Sequence, residues 1–275
     1  MQSINLEGLS VEEKRSEIRR YFHQGFDLFE SLFELFESDA VFYEQPEPTR
    51  HPMIFYFGHT AVFYINKLVL SGVLKEGINP RFEALFAVGV DEMIWDNMNE
   101  YFEGFGVDTV RDYRKSVRIC VDEIISRLPL TLPITQADPF WAILMGCEHE
   151  RIHIETSSVL HRQMPLELIQ SHDDLPLCPL SGNGLENTLV AIEGATITLG
   201  KGDTDHGLYG WDNEYGTATY EVDDFTASLY LVINGEYLDF VKAYGYQIQR
   251  CWDDEDLKYL FMRTAVCQPF LLPKE

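Results

Sequence analysis

The chain has 275 residues, 45% apolar and 13% aromatic, enough to fill one large core or two smaller ones. Lys and Arg number 21 against 45 Asp and Glu, a net charge of -24. A surface of that sign repels phosphate backbones and anionic headgroups, so neither nucleic acid nor a membrane surface is expected as a partner.

The five cysteines, Cys120, Cys147, Cys178, Cys251 and Cys267, are scattered, odd in number and form no Cys-x-x-Cys pair. A reducing compartment fits that usage, and Cys147 reads as a small buried residue. No basic region followed by an apolar run opens the chain, and no charge-free apolar run of about 18 residues occurs. The expected setting is cytoplasmic.

In chain order, Ser10 with Glu13 has the spacing of a capping box, and Ile18, Tyr21, Phe22, Phe29, Leu32, Phe33 and Phe36 then recur at helical intervals. These residues predict a long amphipathic first helix. A polar stretch with three prolines, 43–52, interrupts it, and 54–70 predicts a second, strongly apolar helix that contains His59. Further helical patterns cover 81–99 and 107–127, Pro129, Pro133 and Pro139 mark a loop, and a last long helix spans 140–163. Four principal helices suit a bundle whose facing positions hold a metal.

The character changes after Pro165. Residues 173–187, rich in Pro, Gly, Asn and Asp, read as a linker; 189–199 and 220–233 read as strands, and 234–243 as a short helix capped by Asn234. The expected fold class is therefore α+β, with a helical bundle over 1–170, a linker over 171–187 and a second domain over 188–275.

Chemistry concentrates in the segment CEHERIHIE, 147–155. Residues four apart share one face of a helix, so His149 and His153 can grip one metal ion together. His59 is the best third ligand, because an unpartnered imidazole within an apolar helix is costly. Glu155, turned off the histidine face, is expected to orient an imidazole through its free N–H. His51 stands before Pro52 at a helix start, and His23, His161, His172 and His206 fall on surfaces or loops; each reads as structural or solvated. The run from His149 to His153 also reads as H-E-x-x-H, the zinc protease pattern, with Glu150 as general base. Its extended form needs glycine at 156 and histidine at 159, where this chain has Thr156 and Val159. A third ligand such as Glu167 or Glu186 would fall in a linker-like segment. Three imidazoles suit zinc, iron, nickel or copper, so the ligands alone leave the metal open.

The segments 50–67 (RHPMIFYFGHTAVFYINK), 89–96 (GVDEMIWD) and 145–158 (MGCEHERIHIETSS) closely resemble the 5-histidylcysteine sulfoxide synthases of ovothiol biosynthesis, relatives of the ergothioneine-pathway sulfoxide synthases. The resemblance extends over about 10–255. It implies a DinB-like four-helix bundle followed by a domain similar to the formylglycine-generating enzyme, with a C-type-lectin-like fold. The opening of that domain is resembled by VAIEGATITLG (190–200), YGWDNEY (209–215) and NGEYLDFV (234–241). By resemblance, His59, His149 and His153 hold Fe(II), and cysteine sulfur is joined to the histidine imidazole with O2 and oxidised to a sulfoxide. Ergothioneine-branch relatives bind a γ-glutamyl tail with arginines, whereas the stretch 89–97 is acidic here, which points to free cysteine. The family's second domain continues past the end of this sequence and supplies a catalytic tyrosine, so a shortened form with weak or absent turnover is expected. Two other readings stay open: a DinB-like metal-dependent thiol transferase, and a metal-binding fragment without catalysis.

Overall fold

The computed structural model describes residues 3–87, 105–171, 184–202 and 207–252. The stretch 89–97, with its family-like segment, lies outside them, as do His172, His206, Cys178 and Cys267.

Ser10 is extended, and its Oγ accepts the Glu13 amide at 3.2 Å, satisfying one of the free N–H groups that open helix α1, Val11–Phe33. Along α1, Ile18, Phe22, Phe26, Phe29 and Phe33 return every three or four residues and are buried. Each such side chain contributes about 1.5–3 kcal/mol on burial, so this stripe decides which face turns inward. Helix α2, Met53–Leu70, follows Pro52 and is long and apolar enough to cross a membrane by length and composition, yet 67% of it is buried inside the protein. Its apolarity goes into the bundle core.

The short helix α3, Pro80–Leu85, starts where the Asn79 Oδ1 accepts the amides of Arg81 and Phe82 and proline occupies the first turn. Helices α4, Val107–Arg127, and α5, Phe140–Arg162, match the expected spans to within a residue. Both α1 and α2 pack against both α4 and α5, which closes four long helices around one aromatic core.

The chain divides into two compact units, Met1–Leu177 with Gly200–Thr217, and Cys178–Leu199 with Ala218–Glu275. In the first unit the segment 200–217 meets the start of the chain. The Leu6 amide donates to the Gly207 carbonyl at 3.0 Å, and the Tyr209 ring packs on Trp141 at 4.7 Å. Gly200 has φ 97°, and a side chain there would collide with the Gly216 carbonyl, so glycine is required.

The second unit contains β1, Leu189–Ile192, β2, Ala195–Leu199, β3, Ala218–Val222, and β4, Phe225–Ser228. β1 pairs antiparallel with β4, placing Leu189 opposite Ser228, and β2 pairs antiparallel with β3, placing Ala195 opposite Val222. The single strand expected over 189–199 is thus split at Glu193 and Gly194. There the Gly194 amide turns to the Asp224 carboxylate, and a side chain would meet the Val222 carbonyl at 2.5 Å. Helix α6, Asn234–Lys242, begins one residue earlier than expected: Ile233 is the cap position, and its amide is held by the Glu236 carboxylate at 3.0 Å. Helices with small antiparallel sheets make the chain α+β.

His161 departs from the surface position expected for it. It is buried in the bundle, stacked on Phe36 with 4.8 Å between centroids, and its Nδ1–H donates to the Ser157 carbonyl at 2.7 Å while Nε2 has no partner. Burial holds its pKa below that of a free imidazole. The unfolded chain therefore takes up this proton first, and folded-state stability falls as pH drops below about 6.5. His161→Phe, which keeps a ring on Phe36, is expected to make the denaturation midpoint of metal-free protein fall less steeply between neutral and mildly acidic pH. An unaltered slope would show that His161 carries none of this dependence.

Candidate metal centre

His59 is contributed by α2, and His149 and His153 by successive turns of α5. One nitrogen from each of the three rings lies within 4.8 Å of the others. Ring centroids are 5.0 Å apart for His59 and His149, 4.9 Å for His59 and His153, and 4.4 Å for His149 and His153. Among the described residues no other group of three ligand-type side chains converges in this way. His153 is buried, whereas His59 and His149 are partly exposed, so the cluster opens to one side.

Two of the rings are oriented by contacts the spacing did not reveal. The Nδ1–H of His59 donates to the Phe86 carbonyl at 2.6 Å, which leaves Nε2 with a free lone pair. Phe55 stacks on His59 at 5.0 Å, and Phe63 lies flat on His149 at 3.7 Å with 5° between planes. The Nδ1 atoms of His149 and His153 are buried without hydrogen-bond partners. Orphaned nitrogens of this kind cost roughly 1–3 kcal/mol each, a penalty that a cation ligated at those atoms would relieve. Three neutral nitrogen donors, two of them on orphan-bearing rings, fit a first-row divalent metal.

Burial, first of all, holds all three imidazoles below their ordinary pKa. His149 lies well below it, with His153, His59 and Lys67 adding to the effect, and His153 falls to about 3, with His59 and Arg50 adding. The rings are neutral at neutral pH, which is the form that ligates.

Glu155 is exposed, and no hydrogen bond joins it to a histidine among the described residues; its backbone carbonyl accepts from Ser158. The orienting contact instead comes from the Phe86 carbonyl. Glu150, the general base of the protease pattern, is turned into the core, where it accepts from Tyr64 at 3.1 Å, Thr60 at 3.3 Å and Arg114 at 3.3 Å. Burial pushes its carboxyl up to about 7. One residue beyond His149 on a helix is about 100° round the axis, and that rotation takes it from the metal face to the interior. Cys147 is buried, with its thiol pushed up by burial, as a small core residue.

The sequence is similar to Ergothioneine biosynthesis protein 1 of Neurospora crassa, with 25% identity over 214 residues. The match takes in 72% of this chain and 24% of that protein, so the chain spans about a quarter of the relative's length. No protein-family model matches the sequence.

Arg114 was missed from sequence, although its place between Val110, Tyr113 and Val117 on the inward face of α4 marks a charge needing a partner. Fully buried, it donates to the Phe57 carbonyl and the Thr60 hydroxyl on α2, both at 2.8 Å, to Glu30 on α1 at 2.9 Å and to Glu150 on α5. Phe26 and Phe29 lie 4.3 and 4.9 Å from its guanidinium carbon. One side chain of α4 thus ties the other three long helices together. Arg114→Met leaves Glu150 without its cation and is expected to lower stability by about 3 kcal/mol. Adding Glu150→Gln should recover part of that loss. Urea denaturation of the metal-free protein measures both, and an Arg114→Met chain as stable as the parent would contradict the clamp.

Proposed function

We propose that His59, His149 and His153 hold Fe(II) and that this chain provides the metal-binding part of a sulfoxide synthase joining cysteine to histidine with O2. The observation that carries the reading is the convergence of three neutral imidazole nitrogens within 4.8 Å of one another, from two helices. Similarity to a protein of ergothioneine biosynthesis supports it. So does the resemblance of 50–67 and 145–158 to the sulfoxide synthases that make 5-histidylcysteine sulfoxide. In this reading the bundle is DinB-like and the strands of the second unit open a domain similar to the formylglycine-generating enzyme.

The overall change is balanced by a single O2: a thiol and an imidazole C–H become a C–S bond, one oxygen goes to sulfur and the other leaves in water. Bound iron supplies the oxygen chemistry that neither a thiol nor an imidazole undergoes readily alone. The protein's residues supply position. Phe86 fixes the lone pair of His59, Phe63 and Phe55 brace two rings, and neutrality of all three leaves positive charge at the metal to attract a thiolate. Free cysteine is the donor we favour, because the acidic stretch 89–97 would repel a γ-glutamyl carboxylate. Cys120, Cys147 and Cys251 are unbridged, which supports a reducing, cytoplasmic setting.

The test is anaerobic loading with Fe(II), addition of cysteine and histidine, admission of O2 and mass spectrometry of the products, with Zn(II)-loaded protein in parallel. The sulfoxide adduct is expected from the iron form alone. Thiol transfer by the zinc form without O2 would move the reading to a thiol transferase, and iron retained without product would leave a metal-binding fragment.

A further inference from the structure

Lys67 is a partly buried cation with no ion-pair partner among the described residues of a chain that has 45 Asp and Glu. His59, Phe63 and Lys67 follow one another at four-residue steps on α2, so they line one face of that helix, and all three are partly exposed. The Lys67 ammonium lies 5.0 Å from the Phe63 ring, and that ring lies flat against His149 at 3.7 Å. One aromatic ring therefore links the cluster to a positive charge that has no ion-pair partner among the described residues. On α3, which packs against α2, the inward carboxylate is Glu83. It is already engaged by the amides of Ile78 and Asn79 and by the Tyr113 hydroxyl.

A cation–π contact is worth about 0.5–2 kcal/mol and leaves the ammonium able to accept an anion on its outer side. Helix α2 thus presents, in order, a candidate metal ligand, a flat apolar surface and a cation. A ligand matching that order has a metal-binding atom at one end, a short carbon link and an anionic group at the other.

We propose that Lys67 binds the carboxylate of a small thiol whose sulfur occupies an open position at the His59–His149–His153 centre. Lys67 is thereby a specificity-determining residue for carboxylate-bearing thiols. The inference rests on the reading of the three histidines as a metal centre. A thiol lacking the carboxylate reaches the metal but gains nothing from Lys67, and an added ammonium group is repelled.

Co(II) serves as the probe metal, with the whole chain loaded anaerobically and thiol binding followed by sulfur-to-cobalt charge-transfer absorption. The ligands are 3-mercaptopropionate, 2-mercaptoethanol and cysteamine, and each is compared with itself between parent and variant so that differences in thiol acidity cancel. Lys67→Met should weaken 3-mercaptopropionate by about tenfold, as loss of one charge-assisted contact does. It should leave 2-mercaptoethanol and the affinity for Co(II) within about twofold, and improve cysteamine. Lys67→Arg should keep most of the preference. Co(II) uptake with the same thiol preference in Lys67→Met overturns the role of Lys67 alone, as does an equal loss for all three thiols. A parent chain that takes up no Co(II) overturns the metal centre itself, and the Lys67 assignment with it.

Discussion

Three imidazoles can meet only if α2 and α5 approach closely, and the packing around them enforces that approach. Gly146 on α5 lets the ring of Tyr64 on α2 come against its backbone, where any side chain would collide with that ring. Gly58, next to His59, admits the Phe86 ring so closely that a side chain would stand 2.5 Å from it. That same contact brings the Phe86 carbonyl to His59. Both glycines lie in helix interiors, where the residue costs about 0.5–1 kcal/mol relative to alanine, and close approach is the physical return on that cost. Arg114 completes the arrangement by bonding α2 and α5 at once from α4.

Closure has a chemical consequence. Removing the rings from water disfavours their protonated forms, so the centre is held neutral by burial and, among the described residues, not by a partner anion. An uncharged donor set leaves the full charge of a divalent ion available to draw in an anionic ligand. It also explains the division of charge on α5. Glu150 spends its charge on Arg114 in the core, and Glu148 turns to Tyr21, so neither carboxylate faces the cluster. The neighbouring cation Lys67 lies 5.0 Å from the Phe63 ring that stacks on His149, a positive charge near the centre within an acidic chain.

Much of this was legible in the sequence. The four-residue interval placed His149 and His153 on one face of a helix, and the apolar surroundings of His59 singled it out as the third member of the cluster. The periodicities of α4 and α5 located both helices to within a residue. What remained hidden depends on contacts between segments distant in the chain. Spacing carries no sign that the Phe86 carbonyl orients His59, and Glu155, expected in that part, is exposed. His161 was misplaced because its position near the end of α5 suggested surface, whereas Phe33 and Phe36 from α1 and its following turn enclose it. The strand over 189–199 was misread as continuous because its alternation hides the turn at Gly194, which a tertiary bond to Asp224 decides.

Extended X-ray absorption fine structure at the iron edge, on the chain loaded anaerobically with Fe(II), tests the central claim most directly. The outer-shell scattering of imidazole should require three histidines in the parent and two in His59→Ala. Scattering without histidine, or a histidine count that His59→Ala leaves unchanged, would contradict the convergence of α2 and α5 on one metal.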